Sequence, residues 1–264
     1  MNFLEPLALE SVSSIVWPLC RIGGFLMAMF AIGGGTIPTR VRALFTLAMT
    51  VCMLPSIPKV DPSLQPFTVL GIVTTINQVI IGVGIGLMTQ FLAQAFVIAG
   101  QIVAMQTGLG FASLVDPVSG TNAPVVGQFF TVLVTLVFFA VDGHLLFFRL
   151  LLMSFETMPI GPESFDTLHL RELISFGTVM FQCAIAMSIS AICTMLVVNF
   201  TFGVMTKAAP QLNVFSMGFA VSMIVGFFVL VLALDAFMGN FYIALNAISE
   251  RTCSLIGTSC EGPY

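Results

Sequence analysis

Between Asp61 and Asp116 no residue carries a charge. One straight helix over its residues 67–115 would be about 70 Å long, more than twice the hydrocarbon thickness of a bilayer. A run this apolar cannot face water, and it cannot cross a membrane once as a straight rod. It must bend, break or leave the bilayer, and Gly100, Gly108 and Gly110 are the expected break points. The rest of the chain keeps the same character. It is 58% hydrophobic and only 8% charged, where a soluble domain carries roughly 25% charged residues. The fold class expected is an all-α membrane protein of about six long, partly broken hydrophobic helices arranged in hairpins.

The six segments cover about residues 11–32, 43–54, 67–115, 125–155, 173–205 and 212–248. The first carries Trp17-Pro18 and Arg21, and the fourth carries Asp142-Gly143-His144. The fifth is uncharged, and the sixth has Asp235 alone. In the third, Gly82 and Gly86 form a GxxxG pair, the spacing that lets two helices approach closely. The glycine run there is not a dinucleotide fingerprint, because no strand precedes it and no acid follows at the right distance. Basic residues set the expected orientation. Arg40 and Arg42 lie between segments one and two, and Lys207 between five and six, whereas the loop between four and five is acidic. This favours both termini outside and the Asp116 loop inside, with Lys59 opposing. The acidic start MNFLEPLALE is not that of a secretory signal, so the first segment is expected to stay.

Residues 100–130 interrupt the membrane-grade sequence. Asp116 stands alone between two neutral runs, with Gly108, Gly110, Gly120, Pro117 and Pro124 around it and Gln101, Gln106, Ser113, Ser119, Thr121, Asn122 and Gln128 interspersed. Irregular polar backbone at membrane depth is tolerated only where protein buries it or it lines a wet cavity. The stretch reads as a loop near a passage. Glycines would let it move, and Phe111 or Met105 would supply apolar bulk for a seal. Two plainer readings stand beside this. Asp116-Pro117 suits the start of a short helix, and Phe and Met in this chain often only pack.

Among the ionisable groups inside the apolar segments, Arg21, Asp142, His144 and Asp235 are singled out. Arg21 reads either as a snorkelling anchor or as a contact to another subunit's carbonyls or carboxylate. Asp142 and His144 read either as a kink or wet end of segment four or as part of a proton path. Asp235 either bonds a neighbouring helix or joins such a path. Six cysteines are present, with no CxxC spacing, so no metal or cofactor is expected. Cys20, Cys52, Cys183 and Cys193 lie in apolar runs and read as small core residues. Cys253 and Cys260 flank Gly257, where a break would let them bridge; two free thiols are the alternative. A net charge of −4 without basic runs argues against a nucleic-acid partner. Neither GxSxG nor HExxH occurs, and an intramembrane aspartyl protease would need two facing aspartates among Asp116, Asp142 and Asp235. A proton-coupled secondary transporter is the stronger alternative class.

Three stretches together resemble the FliR/SctT family of type III export-gate proteins, and the flagellar branch more closely. They are GQIVAMQTGLGFASLVDPVSGTNAPVVGQFF, VDGHLLFFRLLLMSFETMPIG and NFTFGVMTKAAPQLNVFSMGFAVSMIVGF. The resemblance implies a non-enzymatic subunit without cofactors. One copy of it joins FliP and FliQ homologues in a helical hetero-oligomer of the inner membrane, within the flagellar basal body. FlhB and unfolded flagellar subunits in transit are the further partners it implies, with membrane lipid around the assembly. It also implies a FliP-like part over about residues 1–205 and a FliQ-like part over 206–264. Gln106, Gly108, Gly110, Phe111, Asp116, Pro117, Gly120 and Asn122 are then candidates for a pore plug. Lys207, Pro210 and Gln211 would form a cytoplasmic hairpin tip.

Overall fold

The structure, a computed structural model, describes residues 4–34, 37–60, 64, 68–110, 125–162, 167–208 and 214–258. Among the described residues all regular structure is helical. In chain order the helices are α1 (Leu4–Ala28), α2 (Phe30–Gly33), α3 (Thr39–Met53), α4 (Val69–Gln106), α5 (Val125–Ala140), α6 (Gly143–Thr157), α7 (Thr167–Ala208), α8 (Val214–Asp235) and α9 (Phe237–Leu255). The expected all-α membrane fold is therefore found, with more breaks than the hydropathy pattern suggests. Among the described residues three helices are long and apolar enough to cross a membrane, and a fourth span arises if α5 and α6 count as one broken span bent by 68°.

The break points differ from expectation in an instructive way. The third segment runs unbroken through Gly100 and ends at Gln106. Gly100 does not interrupt the helix because its role is spatial: an added Cβ would come within 2.5 Å of the Phe130 ring. The break falls instead at Gly108, which has φ +77°, a left-handed backbone that suits glycine. The fifth segment does not break among its described residues, and α7 is one helix of 42 residues, about 63 Å at 1.5 Å per residue. The sixth breaks at Ala236, between α8 and α9.

The chain divides into two compact units, each assembled from separate stretches. The first holds Met1–Phe91, Phe138–Gly177 and Asn246–Tyr264. Its centre is the first half of α4, against which α1 lies at very short range. A Cβ on Gly24 would come within 2.9 Å of the Val79 carbonyl. One on Gly86 would come within 2.6 Å of the Ala28 Cβ, and one on Gly82 would overlap the Arg21 carbonyl. The GxxxG pair thus does what its spacing predicts, and Gly24 and Ala28 supply the matching small pair on α1. Gly23 of α1 faces Thr46 of α3, and Trp17 of α1, fully buried, donates from Nε1 to Thr75 Oγ1 at 3.2 Å. Rings complete the core, with Phe30 edge-on to Phe138 at 4.9 Å and Phe25 edge-on to Phe148 at 5.5 Å.

The second unit holds Leu92–Val137 and Thr178–Leu245. Its core is an aromatic group in which Phe96 lies 4.9 Å from Phe237 and Phe130 lies 6.0 Å from Phe237. Val103, Ala191 and Val229 form a second cluster. A cavity of about 130 Å³ opens beside them, lined in part by Ala99, Phe130, Met187 and Asn240. One face of each of α7 and α8 is left uncovered. Phe181, Ile185, Ile189, Leu196 and Phe200 of α7 are exposed, as are Phe227, Phe228 and Leu232 of α8. Water would not tolerate such surfaces.

The cysteines depart from expectation. Cys52 and Cys193 are exposed and Cys20 and Cys183 half-buried, all four as free thiols. They are not core residues, because the helix faces that carry them have little of this chain packed over them. Cys253 is buried and disulfide-bonded, and Cys260 lies outside the described residues.

Candidate functional site

The loop singled out in the sequence begins where α4 stops. Gln106, half-buried, is the last residue of α4. Thr107 is fully buried, donates from its backbone N–H to the Val103 carbonyl at 3.0 Å, and packs against Gly226 of α8. Gly108 then turns the chain through its positive φ, with the Phe219 ring 3.2 Å from where its Cβ would be. Gly110 is half-buried in a short helical turn, and Met105 stands exposed beside it. The chain is next described at Val125, the first residue of α5. Phe111, Asp116, Pro117, Gly120 and Asn122 lie outside the described residues. Gln106, Gly108 and Gly110 are thus the plug candidates that lie among the described residues.

The hairpin-tip candidates divide likewise. Lys207 is exposed in the last turn of α7, where a cation is favourable beside the helix's negative end. Pro210 and Gln211 lie outside the described residues.

The intramembrane polar residues have separate environments. Asp142 sits at the break between α5 and α6 with φ 56° and ψ 24°, exposed, its side chain making no cap bond. Its carbonyl accepts from the N–H groups of Leu145 and Leu146 at 2.9 and 3.2 Å and so starts α6. Gly143 follows because the Phe138 ring leaves no room for a Cβ, only 2.6 Å away. His144 rests its ring 5.1 Å from that of Phe139, and its Nδ1 is buried without a hydrogen-bond partner. These two residues thus mark a kink. Asp235 is the exposed last residue of α8. Among the described residues no group of three His, Cys, Asp or Glu could hold a metal.

Arg21 is the one charged side chain fully buried among the described residues. It does not snorkel. Its Nε donates to Gln78 Oε1 at 2.7 Å, Nη1 to the Ser154 carbonyl at 2.7 Å and to Ser154 Oγ at 3.2 Å, and Nη2 to the Met158 carbonyl at 2.8 Å. The guanidinium also lies 4.3 Å from the centre of the Phe155 ring. A buried charge is tolerable when hydrogen bonds and an aromatic face replace its water. All these partners are neutral and belong to this chain, so the carbonyls expected from another subunit come from α6 and the residue after it. Gln78, Ser154 and Asn77, whose Nδ2 donates to the Pro162 carbonyl at 2.6 Å, were not singled out in the sequence. Their only signal there is polarity in apolar runs.

Long apolar helices, glycine-mediated contacts and breaks at Gly108 and Asp142 define an all-α membrane protein. The family model for bacterial export proteins, family 1, matches residues 12–247. The flagellar biosynthetic protein FliR of Escherichia coli (strain K12) is 31% identical over 210 residues, covering 80% of each chain. That of Pectobacterium carotovorum subsp. carotovorum is 32% identical over 223 residues, 84% of this chain and 85% of the relative. That of Aquifex aeolicus (strain VF5) is 28% identical over 225 residues, 85% and 86%. The chain belongs to bacterial export proteins, family 1, as a member of the FliR family.

Proposed function

We propose that this chain is a core subunit of the flagellar type III export gate, present as a single copy among FliP and FliQ homologues and required for flagellum assembly. The observation that carries the reading is membership of the export family together with the bare apolar faces of α7 and α8. An α7 of 42 residues is about twice as long as the roughly 30 Å of hydrocarbon requires. The remainder must be covered by protein, which a hetero-oligomer supplies. In this reading the chain performs no catalysis and needs no cofactor. It lies in the inner membrane within the basal body, both termini on the periplasmic side. Residues 1–205 correspond to a FliP-like part and 206–264 to a FliQ-like part.

Within the gate, Gln106, Gly108, Gly110, Phe111, Asp116, Pro117, Gly120 and Asn122 act as the plug, held by the α4 terminus. Lys207, Pro210 and Gln211 form the cytoplasmic tip near the entrance and FlhB. The alternative class, a proton-coupled transporter, draws no specific support from Asp142 or Asp235, each exposed at a helix end. Deleting the gene in its native bacterium tests the proposal. Secretion of unfolded flagellar subunits should stop and return with a plasmid copy; continued secretion would contradict it.

A further inference from the structure

The most deeply buried charge among the described residues sits at a helix end that no glycine closes. A helix leaves its last four carbonyls without intrahelical donors, and a glycine just past the end is the common remedy. α6 has none: Met158 follows Thr157 with φ −119° and ψ 77°, and Pro159 comes next. The Met158 N–H donates to the Ser154 carbonyl at 3.0 Å, and the Arg21 fork from α1 adds a second donor there and one to the Met158 carbonyl just past the helix end. Its charge also faces the negative end of the α6 dipole. Gln78 and the Phe155 ring hold the guanidinium in place. One residue before Gln78 on α4, Asn77 binds the Pro162 carbonyl. Both ends of the stretch 158–162 are therefore tied to α1 and α4 through backbone carbonyls.

We infer that Arg21, seconded by Asn77, positions the described part of the connector after α6, residues 158–162, and does so through its charged fork rather than its bulk. Lysine would place one ammonium where the fork directs donors from three nitrogens to two carbonyls, a hydroxyl and an amide oxygen. Methionine would fill the volume and remove the Arg21 donors from both carbonyls, leaving Ser154 its bond from the Met158 N–H alone. The inference stands whether or not the chain works in an export gate.

Hydrogen–deuterium exchange on the purified full chain in detergent tests it. In Arg21→Met and Arg21→Lys, exchange at Met158, Ile160 and Gly161 should rise about ten-fold or more, since bonds from a charged donor are lost. Residues 92–104 of α4 should keep their protection. Asn77→Leu, which leaves Arg21 in place, should open the same connector and decides the matter if the Arg21 variants do not accumulate. Unchanged connector exchange in the variants that fold, or an equal rise across α4, would overturn the inference and leave Arg21 a packing residue.

Discussion

The carbonyl oxygen of Arg21 lies where the side chain of any residue other than glycine at position 82 would begin. One residue thus serves two contacts, its backbone seated on α4 and its side chain reaching α6. Gly82→Val and Gly86→Val should each push α1 off α4 and cost about 1–3 kcal/mol, the usual range for overpacking. Thermal unfolding of the purified chain measures this. Gly177, Gly203 and Gly239 have open space for 4 Å around the place a methyl group would occupy. Alanine there should be neutral or stabilise the isolated chain by up to about 1 kcal/mol.

Asp142 holds a left-handed conformation at φ 56°, which costs an L-residue roughly 1–2 kcal/mol. Asp142→Gly should therefore raise the unfolding temperature or leave it unchanged, and Asp142→Val should lower it. If the residue mattered chiefly as a proton carrier, Asp142→Asn would abolish function with the fold intact. As a kink residue it should tolerate Asp142→Asn, with export near normal in a motility assay.

Removal of residues 108–122 should make the assembled gate leak ions, because the proposed plug lies there. Conductance of the reconstituted complex is the readout, and unchanged conductance would count against the plug. Gly108→Ala alone should disturb the start of the plug, given the positive φ and the nearby Phe219 ring.

Lys207→Glu should lower secretion while leaving the complex assembled. The exposed cation at the end of α7 becomes an anion facing the helix's negative end. Secretion and pull-down from the same membranes separate the two effects.

The all-α membrane class, the glycine contact of Gly82 and Gly86, and the break near Gly108 were all legible in the sequence. Each follows from local chemistry: charge density, i,i+4 spacing of small residues, and the conformational freedom of glycine. Gly100 misled for the same reason, since spacing alone does not distinguish a glycine that turns the chain from one that admits a ring. The break at Ala236 was hidden because neither glycine nor proline stands there. The partners of Arg21 were out of reach. Ser154 lies 133 residues away, and only the packing of α1, α4 and α6 brings them together. The apolar faces of α7 and α8 were misread in one respect, since Cys193 there is exposed. Hydropathy marks a surface as water-avoiding without telling whether this chain or another covers it.

What covers those faces is the central question. A native mass spectrum of the chain, purified in detergent after co-expression with its neighbouring genes, answers it most directly. An export-gate subunit should appear as one copy bound to several copies of two other small membrane proteins. A stable monomer or homodimer, with no other subunit attached, would contradict that reading.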